Sequence, residues 1–212
     1  MSDNALPDEA AHSREEPKVR HRMKPGQRRE QILQTLAGML EQPGTERITT
    51  ALLASKLDVS EAALYRHFAS KAQMFEGLID FIEHSVFSLI NQIAEREGDG
   101  AQKAARMVTV LLQFGEKNPG MTRVMVGDAL VFENERLHQR MNQLFERIES
   151  ALRQVLRAAA EANKSATPTA DAQVRAAVLV AFALGQLQRF ARSGFKRSPL
   201  DHLEASLALM CR

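Results

Sequence analysis

A chain of 212 residues with 44% apolar and 25% charged residues can bury a sizeable core, and its proportions are those of an ordinary globular protein. The single cysteine, Cys211, excludes an intrachain disulfide framework; the acidic start lacks a leader's basic and apolar regions, and the longest apolar run, AAVLVAFALG (176–185), falls short of a membrane span. The formal net charge of +2 hides a segregation: residues 18–71 hold ten basic and five acidic residues, whereas residues 1–16 and 72–85 are net acidic. A cytoplasmic protein is expected.

Residues 1–23 are polar and charged, and the composition predicts a disordered N-terminal arm. The basic run KVRHRMKPGQRR (18–29) reads either as a solvated arm or as an attractor of phosphate. After Pro25-Gly26, helical spacing sets in with Ile32, Leu33, Leu36, Ala37 and Leu40 and stops at Pro43-Gly44. Thr49 and Thr50 can cap a short helix bearing Leu53, Ala54 and Leu57, and DVS (58–60) makes a tight turn. Ser60 caps a second short helix with Leu64 and Phe68 on one face. Ser70 caps a long helix carrying Phe75, Leu78, Ile79, Ile82 and Val86 that ends near GDG (98–100). Further helices are expected over 101–117, 121–131, 134–162, 171–193 and from about 200. No alternating strand pattern of useful length occurs, so the fold class is all-α. The domain boundaries drawn are an arm over 1–23, a DNA-binding head over 24–70 and a helical body over 71–212.

Catalytic constellations are missing. The six histidines lie in different segments, no second cysteine completes a zinc site, and neither a phosphate loop nor a nucleophile elbow is present. No catalytic residue, metal ligand or cofactor is expected.

Two short helices joined by a tight turn over 49–68 form the pattern of a helix-turn-helix, whose second helix enters the major groove. With Leu64 and Phe68 inward, Glu61, Ala62 and Tyr65 fall on the outer face with Ala63 beside them. Tyr65, His67 and Lys71 carry a hydroxyl, a ring N–H and a cation, all suited to phosphate oxygens. Thr50 offers a hydroxyl at a helix start. The alternative is that Tyr65 and His67 simply pack against the long helix.

The stretch ITTALLASKLDVSEAALYRHFASKAQMFEGLI (48–79) resembles the DNA-binding head of the TetR family of dimeric regulators, with LYRHFASK as its most specific part. The resemblance implies a three-helix head followed by a helical dimerisation body. It implies backbone contacts from Thr50, Tyr65, His67 and Lys71, with Thr49 beside them. Base-edge contacts are implied from Ser60, Glu61, Ala62 and Ala63. Asp58 stands where the family usually places Gly; Asp tolerates the left-handed conformation, so the turn is expected to survive.

The segment FGEKNPGMTRVMVGDALVFENERLHQRMNQLFERIESALRQVLR (114–157), with RSGFKRSP (192–199), is similar to the nucleoid occlusion factors, a narrower branch of that family. This likeness implies a nucleoid-associated homodimer on palindromic double-stranded DNA. It would engage the C-terminal tail of the tubulin-like division GTPase FtsZ in a groove between the fourth and fifth helices. Matching positions are Phe81, Lys117 and Asn118, and Leu89 occupies a place where the branch can carry Arg. Phe81 as core, and Asn118 as a helix terminator alone, are the alternatives.

Val174, Ala177, Val178, Ala181, Leu184 and Gly185 form a broad small-residue face suited to dimerisation, with Leu203, Leu207 and Met210 as a second stripe. Burial within the monomer is the alternative. Ordinary TetR-like proteins release DNA on binding a small molecule. The body here has no Trp or Tyr, and Met107, Met121, Met125 and Met141 read as core filler. A ligand-responsive repressor is therefore the second expectation.

Overall fold

The computed structural model describes residues 26–42, 48–96 and 98–211, which form nine α-helices and no strand. The expected N-terminal arm and the Pro43-Gly44 stop lie outside the described residues. The head consists of α1 (Gln27–Leu40), α2 (Thr50–Lys56) and α3 (Glu61–Tyr65). A long α4 (Lys71–Glu95) leads into α5 (Gly100–Lys117), α6 (Pro119–Met125), α7 (Glu135–Ala162), α8 (Pro168–Arg192) and α9 (Leu203–Met210).

Side-chain caps start the head's helices where the sequence places them. Thr49, Ser60 and Ser70 accept from the backbone N–H of Leu52, Ala63 and Gln73, at 3.2, 3.3 and 3.2 Å. Each satisfies a donor that the first helical turn leaves open.

Three boundaries differ from the sequence reading. The recognition helix ends at Tyr65. The helix expected over 121–131 stops at Met125, because Gly127 turns to φ 80° and a 3-10 turn over Asp128–Leu130 follows. The eighth helix starts at Pro168, where Asp171 accepts hydroxyl hydrogen bonds from Ser165 and Thr167 at 2.5 and 3.0 Å. These donors hold the Asp171 carboxyl below its usual range.

The core runs without a break from head to body. Ile32, Leu36, Leu53, Leu64 and Phe68 bury against Phe75, Leu78 and Ile79 of α4, and α7 and α8 pair along the body. Met107, Met125 and Met141 are core residues, as their positions suggested, and Met121 is partly buried against the core.

A second seam joins head to body. At Gly120, α6 approaches α1 so closely that a Cβ there would stand 2.1 Å from the carbonyl oxygen of Ala37. Beside it, Arg123 donates to the Leu40 carbonyl at 3.3 Å and pairs with Asp128 at 2.8 Å. Along α4, Glu76, Asp80 and Glu83 meet Arg136 and Arg140 of α7 at 2.7–2.9 Å.

Val174 and Val178 remain 63% and 47% exposed, and Ala177, Ala181 and Gly185 are exposed beside them. The small-residue face of α8 is thus not consumed inside the monomer. The second stripe differs from the expectation: Leu203 and Leu207 are buried and Met210 is half-buried against the core, with α9 packed on α8. By length and composition alone α8 is apolar enough to cross a membrane. Its apolar residues divide instead between the core and this exposed face.

Gly120→Ala should destabilise the fold by about 1–3 kcal/mol, since the added methyl meets backbone that cannot step aside. Gly38→Ala, at a helical site with open space, should instead stabilise by about 0.5–1 kcal/mol. Urea unfolding midpoints of the two variants check the contrast.

Candidate nucleic-acid interface and partner groove

The turn between α2 and α3 survives without glycine. Asp58 adopts φ 52°, and the backbone N–H of Val59 returns to the Ala54 carbonyl at 3.1 Å. Leu53, Leu64 and Phe68 lock the two helices from inside. Ser60, Glu61, Ala62, Tyr65 and His67 are exposed, with Tyr65 at 45%, and Ala63 is half-buried. Neither Tyr65 nor His67 is buried against the long helix.

The polar groups of this surface are more committed than the sequence suggested. The Thr49 oxygen caps α2. Thr50 Oγ1 donates its hydrogen to Glu61 Oε2 at 2.5 Å, spending the donor that the resemblance assigns to phosphate. Lys71 pairs with Glu133, from the segment ahead of α7, and also sits above the Phe75 ring. An ammonium has three donors, so this pairing leaves Lys71 capacity for a phosphate oxygen.

Sequence reasoning grouped Arg28 and Arg29 with the basic arm and gave no role to Arg66. Arg29 is a staple: its Nη1 donates to the His67 carbonyl at 2.8 Å, and its guanidinium lies 4.0 Å from the Phe68 ring centroid. It fixes the segment after α3 onto α1. Arg28 and Arg66 line a polar cleft of about 820 Å³ beside the turn, together with Asp58 and Ser60. The only sequence signal for that cleft was the local excess of positive charge.

The second candidate surface lies where α4 and α5 run side by side. Phe81 is 49% exposed and tilts onto Phe114, with ring centroids 6.4 Å apart, so it is not core. Lys117, one turn beyond Phe114, is exposed. Asn118 Nδ2 donates to the Phe114 carbonyl at 2.8 Å, closing α5 before Pro119. Its side chain is therefore partly spent on ending the helix. Leu89 is 40% exposed about two turns further along α4, away from Lys117. The structure thus groups Phe81, Lys117 and Asn118 and leaves Leu89 as an outlying apolar side chain.

Among the described residues no group of His, Cys, Asp and Glu could hold a metal ion.

Comparison with known proteins agrees with this architecture. Residues 32–78 match the family described as bacterial regulatory proteins of the tetR family. Residues 100–212 match the SlmA-like tetracyclin repressor-like C-terminal domain. The nucleoid occlusion factor SlmA of Vibrio vulnificus (strain YJ016) is 52% identical over 188 residues, covering 88% of this chain and 95% of the relative. That of Vibrio cholerae serotype O1 is 52% identical over 184 residues, covering 86% and 93%. Solved structures share the fold at lower identity. The regulator PfmR from Thermus thermophilus has a TM-score of 0.70 at 21% identity, over 85% of this chain and 97% of that one. The MbdR regulator from Azoarcus sp. CIB has a TM-score of 0.71 at 15% identity, over 86% and 96%. Identity of this degree, sustained through both the head and the SlmA-like C-terminal domain, places the chain in the TetR family, within its nucleoid occlusion factor branch.

Proposed function

We propose that this chain is a nucleoid occlusion factor. As a homodimer on chromosomal palindromes it presents the α4–α5 groove to the C-terminal tail of FtsZ and blocks Z-ring assembly over the nucleoid. The observation that carries the reading is the half-exposed Phe81 set against Phe114 of α5, one helical turn before the exposed Lys117. An aromatic anchor next to a cation suits a peptide that combines apolar and acidic groups. Leu89, further along α4, is apolar where the branch can carry a cation, so Lys117 supplies the charge. The exposed face of α8 supports the homodimer, and a two-fold dimer presents two recognition helices to a palindrome. In the head, Tyr65, His67 and Lys71 contact phosphates, and Ser60, Glu61, Ala62 and Ala63 approach base edges. The head comprises residues 24–70 and the dimerisation and partner-binding body residues 71–212.

A second reading, the ligand-responsive repressor, draws on an open apolar groove of about 660 Å³ between α5 and α9, lined by Ala105, Leu203, Leu207 and Cys211. That volume suits a small molecule.

Lys117→Glu should abolish disruption of FtsZ polymers in a sedimentation assay while the Kd for palindromic DNA stays unchanged; retained disruption would show that the groove is wrong. Tyr65→Phe and Lys71→Ala should weaken binding to all duplexes alike, because phosphates carry no sequence information. Lys71→Ala should also lower thermal stability by about 1.5–3 kcal/mol, since it strands the largely buried Glu133 carboxylate. Genome-wide occupancy separates the two readings: many dispersed palindromic sites accord with occlusion, and one strong site accords with the local repressor.

A further inference from the structure

We infer that Glu61 is a specificity-determining residue that reads a cytosine in each half-site, and that Thr50 is the positioning residue aiming its carboxylate. The inference rests on the proposed DNA-facing role of α3 and adds which base it selects.

Glu61 is the first residue of the recognition helix, exposed, and the only acidic residue between Asp58 and Glu76. A carboxylate carried toward a polyanion is repelled unless the DNA offers it donors. In the major groove the donors are the amino groups of cytosine (N4) and adenine (N6). Adenine sets its N7 lone pair beside N6, which opposes a carboxylate. Guanine presents only acceptors there, and thymine an acceptor and a methyl. Cytosine presents its amino group next to a C–H. A carboxylate at this place therefore favours cytosine over the other three bases.

The geometry prepares Glu61 for that contact. The hydrogen bond from Thr50 Oγ1, 2.5 Å long, occupies Oε2 and leaves Oε1 for a second donor. It also restricts a flexible side chain before any DNA arrives, reducing the ordering needed on binding. The neighbouring Ala62 and Ala63 are small enough to let the helix start approach the bases. Ion pairing within the described residues does not involve Glu61. The same bond explains Thr50: a hydroxyl whose hydrogen is given to Glu61 cannot donate it to a phosphate as well.

The full-length protein would be used to select from a random-sequence duplex library, and the enriched duplex then titrated by fluorescence anisotropy with single base-pair replacements. The wild type should enrich a palindrome with one C·G pair per half-site whose replacement by T·A weakens binding about 5- to 150-fold. Glu61→Ala should shrink that ratio to within about two-fold while leaving the ranking at other pairs intact. Thr50→Ala should reduce the ratio at the same pair, and Thr50→Ser, which keeps the hydroxyl, should restore it. Melting temperatures within a few degrees of wild type establish that the variants are folded.

An enriched palindrome with no Glu61-dependent pair would overturn the inference and leave the DNA-binding reading standing. So would a Glu61→Ala variant that shifts all affinities by one common factor. A library with no enriched pattern would remove both. Thr50→Ala weakening every duplex equally would return Thr50 to a phosphate contact and overturn its positioning role.

Discussion

The approach of α6 to α1, possible only because Gly120 has no Cβ, is the constraint that ties the two candidate surfaces into one fold. It brings the backbone of the body against the backbone of the head, where no side chain can act as a compliant spacer. Arg123 reinforces the contact by donating to the carbonyl of Leu40, the last residue of α1. From α1, Arg29 carries the connection on to His67 and Phe68, the segment that follows the recognition helix. The body is thereby linked through packed groups to the segment that follows the second helix of the helix-turn-helix. The exposed Phe81 sits on the same α4 whose start, Lys71, is held by Glu133.

Electrostatics divides α4 into two sides. Its acidic residues Glu76, Asp80 and Glu83 are matched by arginines of α7, and Arg147 also lies 4.0 Å from the ring centroid of Phe87. Each exposed pair contributes little to stability, about 0–1 kcal/mol. The rotation of α4 is set by its buried stripe of Phe75, Leu78, Ile79, Ile82, Val86 and Ile90, which leaves Phe81 and Leu89 outward; the ion pairs lie along its margin. Net charge alone is a poor guide to the surface left for DNA. Of the cations that make residues 18–71 basic, Arg29 is bound inward and Lys71 is paired, while Arg28 and Arg66 flank the open cleft beside the turn.

The recognition helix shows how a short element can carry a defined surface. It has five residues, and its position depends on Leu64 and Phe68 below it, on the Ser60 cap, and on Asp58 holding the turn in the left-handed region. With so few internal hydrogen bonds such a helix owes its stability to tertiary packing. Its outer face is consequently free to be chosen for contact with DNA.

The sequence by itself determined the helical class, the caps at Thr49, Ser60 and Ser70, the inward face of each head helix and the family. These follow from spacing and cap chemistry within a few residues, and from a motif long enough to be specific. Helix ends at Met125 and Pro168 were less legible, because a glycine turn and a hydroxyl–carboxylate cluster override the apolar periodicity there. Only the tertiary structure decided that Phe81 is exposed while Leu203 and Leu207 are buried, since an apolar side chain's type does not say whether another element covers it. It also decided that Thr50 faces Glu61, Arg29 faces His67 and Lys71 faces Glu133. Those partners lie 11, 38 and 62 residues apart, and no local pattern encodes which polar group will meet another across a fold.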